Sequence, residues 1–169
     1  PVFGSEMTIA LAKLAVKGHK EVKKFNDFHV VDESTAIDFN DVTVSFFATT
    51  HTIPETLGIV LETSEGNIVY TGDFKFDQTA STGYQTDLAR LAEIGSQGVL
   101  ALLSDSAGAG ITGASAREKN IGEYILETFK YQKGRIVVAS VASNIMRVQQ
   151  IIDAAVKVGR KLVLSGEDI

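Results

Sequence analysis

Two residues stand where a metal ligand and a catalytic carboxylate would. His51, in Thr50-His51-Thr52-Ile53-Pro54-Glu55, follows a strand-like segment at 42–48 and precedes a turn fixed by Pro54. A histidine at a strand end can project into a cleft and offer a neutral imidazole nitrogen to a cation. The plainer reading is a solvent-exposed loop histidine. Asp73 leaves a second apolar strand directly after Gly72, in Val69-Tyr70-Thr71-Gly72-Asp73-Phe74-Lys75-Phe76-Asp77. A carboxylate has two oxygens and can bridge two cations ~3.5–4 Å apart, whereas the plainer reading is an aspartate that caps a turn.

Two further places invite chemistry. Asp105, in Leu103-Ser104-Asp105-Ser106, ends a continuous apolar run. Its catalytic role would be to accept the free N–H of a metal-bound imidazole and fix its tautomer; the alternative is an aspartate that starts a loop. In Ala139-Ser140-Val141-Ala142-Ser143-Asn144, a strand and a small-residue turn lead into a helix carrying Arg147. Hydroxyls and backbone N–H groups at a helix start bind anions, which makes Ser143 and Asn144 candidate anion ligands that Arg147 could assist, with ordinary N-capping as the alternative. His19 lies among lysines and His29 reads as structural. No Ser/His/Asp triad, P-loop or GxGxxG stretch is visible.

The elements that must position these residues fall into two textures. Ser5 caps a helix that ends near Gly18. Strands follow at 28–32, 35–39 and 42–48, then a hairpin pairs 57–63 with 67–71 around Ser64-Glu65-Gly66. A short amphipathic helix spans 86–94. The run 99–103 predicts a strand covered on both faces. After the small-residue loop 106–115 the order becomes helix 116–130, strand 135–140, helix 144–158, strand 161–165, the alternation of βαβ units and a parallel sheet. The expected class is α/β, with a boundary near residue 116.

Bulk properties restrict the function. With 44% hydrophobic and 22% charged residues the chain has an ordinary globular composition. The net charge of −5 gives no global basic footprint for nucleic acid, although a local groove can still hold RNA. With no cysteine, thiolate metal sites and disulfides are excluded. No apolar run approaches the ~20 residues of a membrane span, and no leader is visible, which fits a cytoplasmic setting without membrane association. Both ends look cut: Pro1 begins on a strand-like run, and the chain stops shortly after a second one, so a fragment is expected.

Together these segments resemble the ribonuclease J family, metallo-β-lactamase nucleases with an inserted β-CASP domain. The resemblance spans nearly the whole chain. It is carried by His51-Thr52-Ile53-Pro54-Glu55, Tyr70-Thr71-Gly72-Asp73-Phe74-Lys75-Phe76-Asp77, Leu102-Leu103-Ser104-Asp105-Ser106, and Ala142-Ser143-Asn144 followed by Arg147, Gln149 and Gln150. It implies that residues 1–115 are the later part of an αββα core and 116–169 the beginning of a β-CASP domain. His51 then matches a metal-ligand histidine, Asp73 the bridging aspartate, Asp105 a β-CASP-associated acid and Ser143 a serine near the RNA 5′-monophosphate pocket. It further implies two Zn²⁺ ions per intact site, hydrolysis of RNA phosphodiesters, single-stranded RNA as partner, and a homo- or hetero-oligomer with another ribonuclease J subunit.

The departures from the family shape the expectation. The HxHxDH motif and the later β-CASP histidines are not among these residues, so the chain by itself is expected to be inactive. Met146 stands where a histidine often precedes the arginine, and the Gly166-Glu167-Asp168-Ile169 end differs from the usual basic form. Both are more similar to the second, less active paralogue of some Gram-positive bacteria. Two alternatives are a partner subunit with little activity and a metallo-β-lactamase hydrolase of small molecules.

Overall fold

A computed structural model of the chain describes residues 1–77, 79, 85–113 and 117–166. The fold is mixed α/β. A short parallel pair, β1 (Val2–Gly4) and β2 (Phe28–Val30), is joined through helix α1 (Glu6–Gly18). Ser5 caps α1 as expected, its side chain accepting from the Thr8 N–H. The stripe containing Ile9 faces inward, and Ile9 is buried.

The main sheet has the order β3-β4-β5-β6-β7, from β3 (Ala36–Asp38), β4 (Thr43–Ala48), β5 (Leu57–Thr63), β6 (Gly66–Tyr70) and β7 (Val99–Leu103). The first four strands are antiparallel neighbours, and β7 joins β6 in parallel after a register shift at Asn67/Ile68. Antiparallel neighbours need only tight turns, so these strands pair in chain order. The β5–β6 hairpin turns at Gly66, which has φ of 130°. Phe47, Val60 and Val69 project from one face and pack against Ile94 of helix α2 (Leu88–Ser96), with Leu91 beside them. Gly58 lies opposite Phe47 in the β4–β5 register, with the phenyl ring where a side chain would otherwise stand.

Helix α2 begins two residues later than its sequence pattern suggests. Asp87 is the cap and accepts from Arg90 N–H, while the Thr86 hydroxyl is taken by Thr50. The apolar run of β7 was expected to be covered on both faces; instead all five residues are exposed. Among the described residues β7 is the sheet edge, and no further layer covers it. The loop after it turns through 106–113; residues 114 and 115, expected to continue it, lie outside the described residues.

Helices α3 (Glu118–Tyr131) and α4 (Ile145–Lys157) pack as a pair around Phe129, Ile151, Ala154 and Ala155. Residue 116, the expected start of α3, is outside the described residues, as are 167–169 of the departing C-terminal motif. The segments 135–140 and 161–165 differ from expectation. They join no strand ladder among the described residues, and Val137 and Val163 are each 87% exposed. A parallel strand needs a neighbour on at least one side to satisfy its backbone, and neither segment has one here. Among the described residues no helix is long and apolar enough to cross a membrane.

Candidate metal-ligand edge and its link to helix α4

Strand β4 ends at Ala48 and β6 at Tyr70, with β5 between them, so the loops that follow leave the same end of the sheet. An isolated antiparallel bridge pins those loops together: Lys75 N–H donates to Thr50 C=O at 2.9 Å. Thr50 is fully buried, and its N–H donates to the Thr86 hydroxyl at 3.1 Å. Gly72, with φ of 60°, makes the turn that carries Asp73 away from β6.

This arrangement brings two of the expected site residues together. His51 Nε2 lies 3.9 Å from Asp73 Oδ2, with the imidazole about one-third exposed and the carboxylate 75% exposed. That separation is beyond hydrogen-bond range. Zinc bonds to nitrogen and oxygen donors are ~2.0–2.2 Å each, so one ion spans donors up to roughly 4.4 Å apart. The other ring nitrogen, Nδ1, is 3.3 Å from the Thr52 hydroxyl. An imidazole and a carboxylate are the right kind of donors for zinc, but two are half of a closed four-ligand set. Among the described residues no group of three or more His, Cys, Asp or Glu side chains could hold a metal ion.

Asp105 is close by but differently engaged. Its N–H donates to the Thr71 hydroxyl at 3.1 Å, and its carboxylate accepts from Ala107 N–H at 2.8 Å. The carboxylate therefore caps its own turn, and among the described residues it makes no hydrogen bond to His51 or Asp73. Asn144 also takes its capping role: its side chain accepts from Arg147 N–H at 3.0 Å. Ser143 is exposed at the same turn. His29 stacks on Phe3 and pairs with Asp27, as a structural histidine would.

A group that sequence reasoning passed over joins these parts. Glu118, at the start of α3, is buried. Its carboxylate pairs with Lys75 and accepts from Arg147 Nη2 at 3.3 Å and Gln150 Nε2 at 3.2 Å. Its backbone N–H donates to buried Asp77 at 2.7 Å, so a distant carboxylate supplies the cap that Arg117 does not. Burial pushes the Asp77 carboxyl up, but hydrogen bonds from Glu118 N–H and from the Thr79 hydroxyl and N–H, with the nearby Lys75 charge, outweigh it and hold the group below its ordinary 3.8. The sequence signal was a pair of charges, Lys75 and Asp77, spaced two apart after Asp73. Thr79 is a local partner of Asp77, but the Glu118 partner that both charges share is more than forty positions away and left no local trace. Finally, Met146 N–H of α4 donates to Thr52 C=O at 3.2 Å, directly beside His51.

A sequence profile described as ribonuclease J, beta-CASP domain, matches residues 133–169. Over 168 residues the chain is 60% identical to Ribonuclease J 2 of Streptococcus pyogenes serotype M3, covering 99% of this chain and 30% of that protein. Likeness to ribonuclease J proteins thus runs through the whole chain. Ribonuclease J 2 of Staphylococcus epidermidis is 44% identical over 169 residues, and that of Staphylococcus aureus strain NCTC 8325 is 41% identical; both alignments cover this whole chain and 30% of the relative. The chain thus spans about three-tenths of the length of these ribonuclease J relatives. A protein of unknown function from Enterococcus faecalis V583 shares the fold, with a TM-score of 0.70 at 16% identity over 90% of this chain and 39% of its own.

Proposed function

We propose that these residues form one part of a longer zinc-dependent ribonuclease that hydrolyses RNA phosphodiesters, as a 5′-to-3′ exonuclease, an endonuclease or both, in mRNA decay and RNA processing. Residues 1–115 would be the later part of a metallo-β-lactamase core and 116–169 the start of a β-CASP domain. The observation that carries this reading is the approach of His51 to Asp73 at the end of the sheet. Likeness to proteins named Ribonuclease J 2 supports the substrate class.

In this reading His51 would offer an imidazole nitrogen and Asp73 a carboxylate that two ions could share, with the remaining donors coming from outside these residues. Two bound zinc ions would supply a hydroxide near neutral pH and offset charge developing on the phosphate. The Thr50–Lys75 bridge fixes the His51–Asp73 separation, and the Thr52 hydroxyl restrains the imidazole. Asp105 would be catalytic only if its carboxylate exchanged the Ala107 N–H for a ligand's ring N–H. Ser143 and the start of α4 would receive the 5′ phosphate of single-stranded RNA, with bases stacked along the channel beyond. Asn144 could contribute there only by giving up its cap to Arg147. The longer protein would work in the cytoplasm, paired with itself or with another ribonuclease J subunit.

Replacing Asp73 by Ala in the longer protein tests the reading. RNA cleavage should fall by at least about a hundredfold, the scale of losing a central electrostatic group. Unchanged cleavage would remove Asp73 from the site. A second reading, a partner subunit with little activity of its own, is favoured by Met146 at the position before Arg147 and by relatives named Ribonuclease J 2. It predicts weak cleavage by the unaltered longer protein and a gain when the other subunit is added.

A further inference from the structure

We propose that Glu118 is a positioning residue that locks the N-terminal turn of α4 onto the His51–Asp73 edge. The bonds form a closed circuit. From Asp73 the chain runs two residues to Lys75, whose ammonium pairs with the Glu118 carboxylate. The same carboxylate accepts from Arg147 and Gln150 of α4. One residue before Arg147, Met146 N–H donates to Thr52 C=O, next to His51. The Thr50–Lys75 bridge then closes the ring.

Burial makes the arrangement more than a surface ion pair. The Glu118 side chain is 11% exposed, Lys75 23% and Arg147 21%. Charge-assisted bonds in such a setting hold geometry, because leaving any partner unpaired is costly. Charges also balance: Lys75 and Arg147 face Glu118 and Asp77. Gln150 is held twice, by the Glu118 carboxylate and by its backbone C=O at 3.3 Å. No other ion pair among the described residues joins the sheet's loops to α4. The Glu118 carboxylate and the Met146–Thr52 bond together set the distance from the His51–Asp73 edge to the turn bearing Ser143.

The functional consequence rests on the ribonuclease reading above. Loosening the lock would leave the cleavage machinery in place but blur its spacing to a bound 5′ end. In the longer protein, Glu118→Ala should lower kcat/KM for a 5′-monophosphorylated RNA about tenfold relative to a 5′-hydroxyl RNA of the same sequence, the worth of one charge-assisted hydrogen bond. The change should lie mainly in KM, and Glu118→Gln, which keeps an acceptor for Arg147, should restore part of it. Equal losses on both RNAs, or an unchanged ratio, would overturn the proposal.

Amide hydrogen exchange separates this failure from failure of the ribonuclease reading. In Glu118→Ala the Met146 amide should exchange faster, while amides of β4 and β5 keep their protection. If the unaltered longer protein cleaves neither RNA, the ribonuclease reading fails and exchange alone decides: unchanged protection at Met146 would overturn the lock, and faster exchange there would sustain it.

Discussion

The five-stranded sheet and the α3–α4 pair differ in how fully their strands and apolar faces find partners within these 169 residues. In the sheet, β3 to β6 follow one another in the chain and find their partners through short turns, so pairing and the Phe47–Val60–Val69 core are complete on one face. In the helical region, α3 and α4 bury a small core of their own, but the extended segments beside them hold apolar side chains in the open. Local antiparallel pairing satisfies itself, whereas strands of βαβ type depend on neighbours farther along a chain. The exposed edge strand β7, paired in parallel to β6, shares that dependence.

If the sheet core is the self-sufficient part, its disruption should have the largest effect. Phe47→Ala removes a ring that is 1% exposed and should cost about 3–5 kcal/mol in urea unfolding of this chain. Gly58→Ala should come next. A methyl group there would fall 2.1 Å from the Phe47 ring, and overpacking of that kind costs about 1–3 kcal/mol. A smaller loss in either would mean that β4 and β5 are less closely packed than described.

The joint between the two regions gives a pH-dependent prediction. Asp77 is held below its ordinary 3.8 in the folded chain, so its contribution is fully present above that value and lost as pH falls through the lower folded value. Asp77→Ala should destabilise by about 1–3 kcal/mol near neutral pH, by leaving the buried Glu118 N–H without its acceptor. It should also flatten the decline of stability in acid, read from urea midpoints above and below the ordinary carboxylate range. An equally steep decline in the variant would assign the acid sensitivity elsewhere. The smallest effect is expected at Val163: Val163→Ala should change the stability of this chain by no more than about 0.5 kcal/mol, as for other exposed sites. The same change in the longer protein should cost more if a neighbour covers that segment.

Legibility in the sequence followed the same division. The alternation in β4 and the Ser64-Glu65-Gly66 turn placed the hairpin strands closely, and Ser5, Gly18 and Asn144 marked helix ends within a residue or so. His51 and Asp73 could be picked out because each follows a strand, and the sheet's chain-order pairing brings such ends together. Burial of β7 and the ladders at 135–140 and 161–165 could not be read, because an apolar run reports a preference for burial and not the presence of something to cover it. Asp105 and Asn144, expected as site residues, make in this structure the local capping bonds that their side chains favour. Glu118 was invisible because its partners are set by packing across the chain.

In the proposed function His51 and Asp73 are two donors of one metal site that other residues complete. Zinc content of the longer protein, measured by elemental mass spectrometry after exhaustive dialysis, tests it most directly. The unaltered protein should retain two zinc ions, and Asp73→Ala, which removes the shared carboxylate, should retain at most one under the same conditions. Two zinc ions retained by Asp73→Ala would contradict the claim.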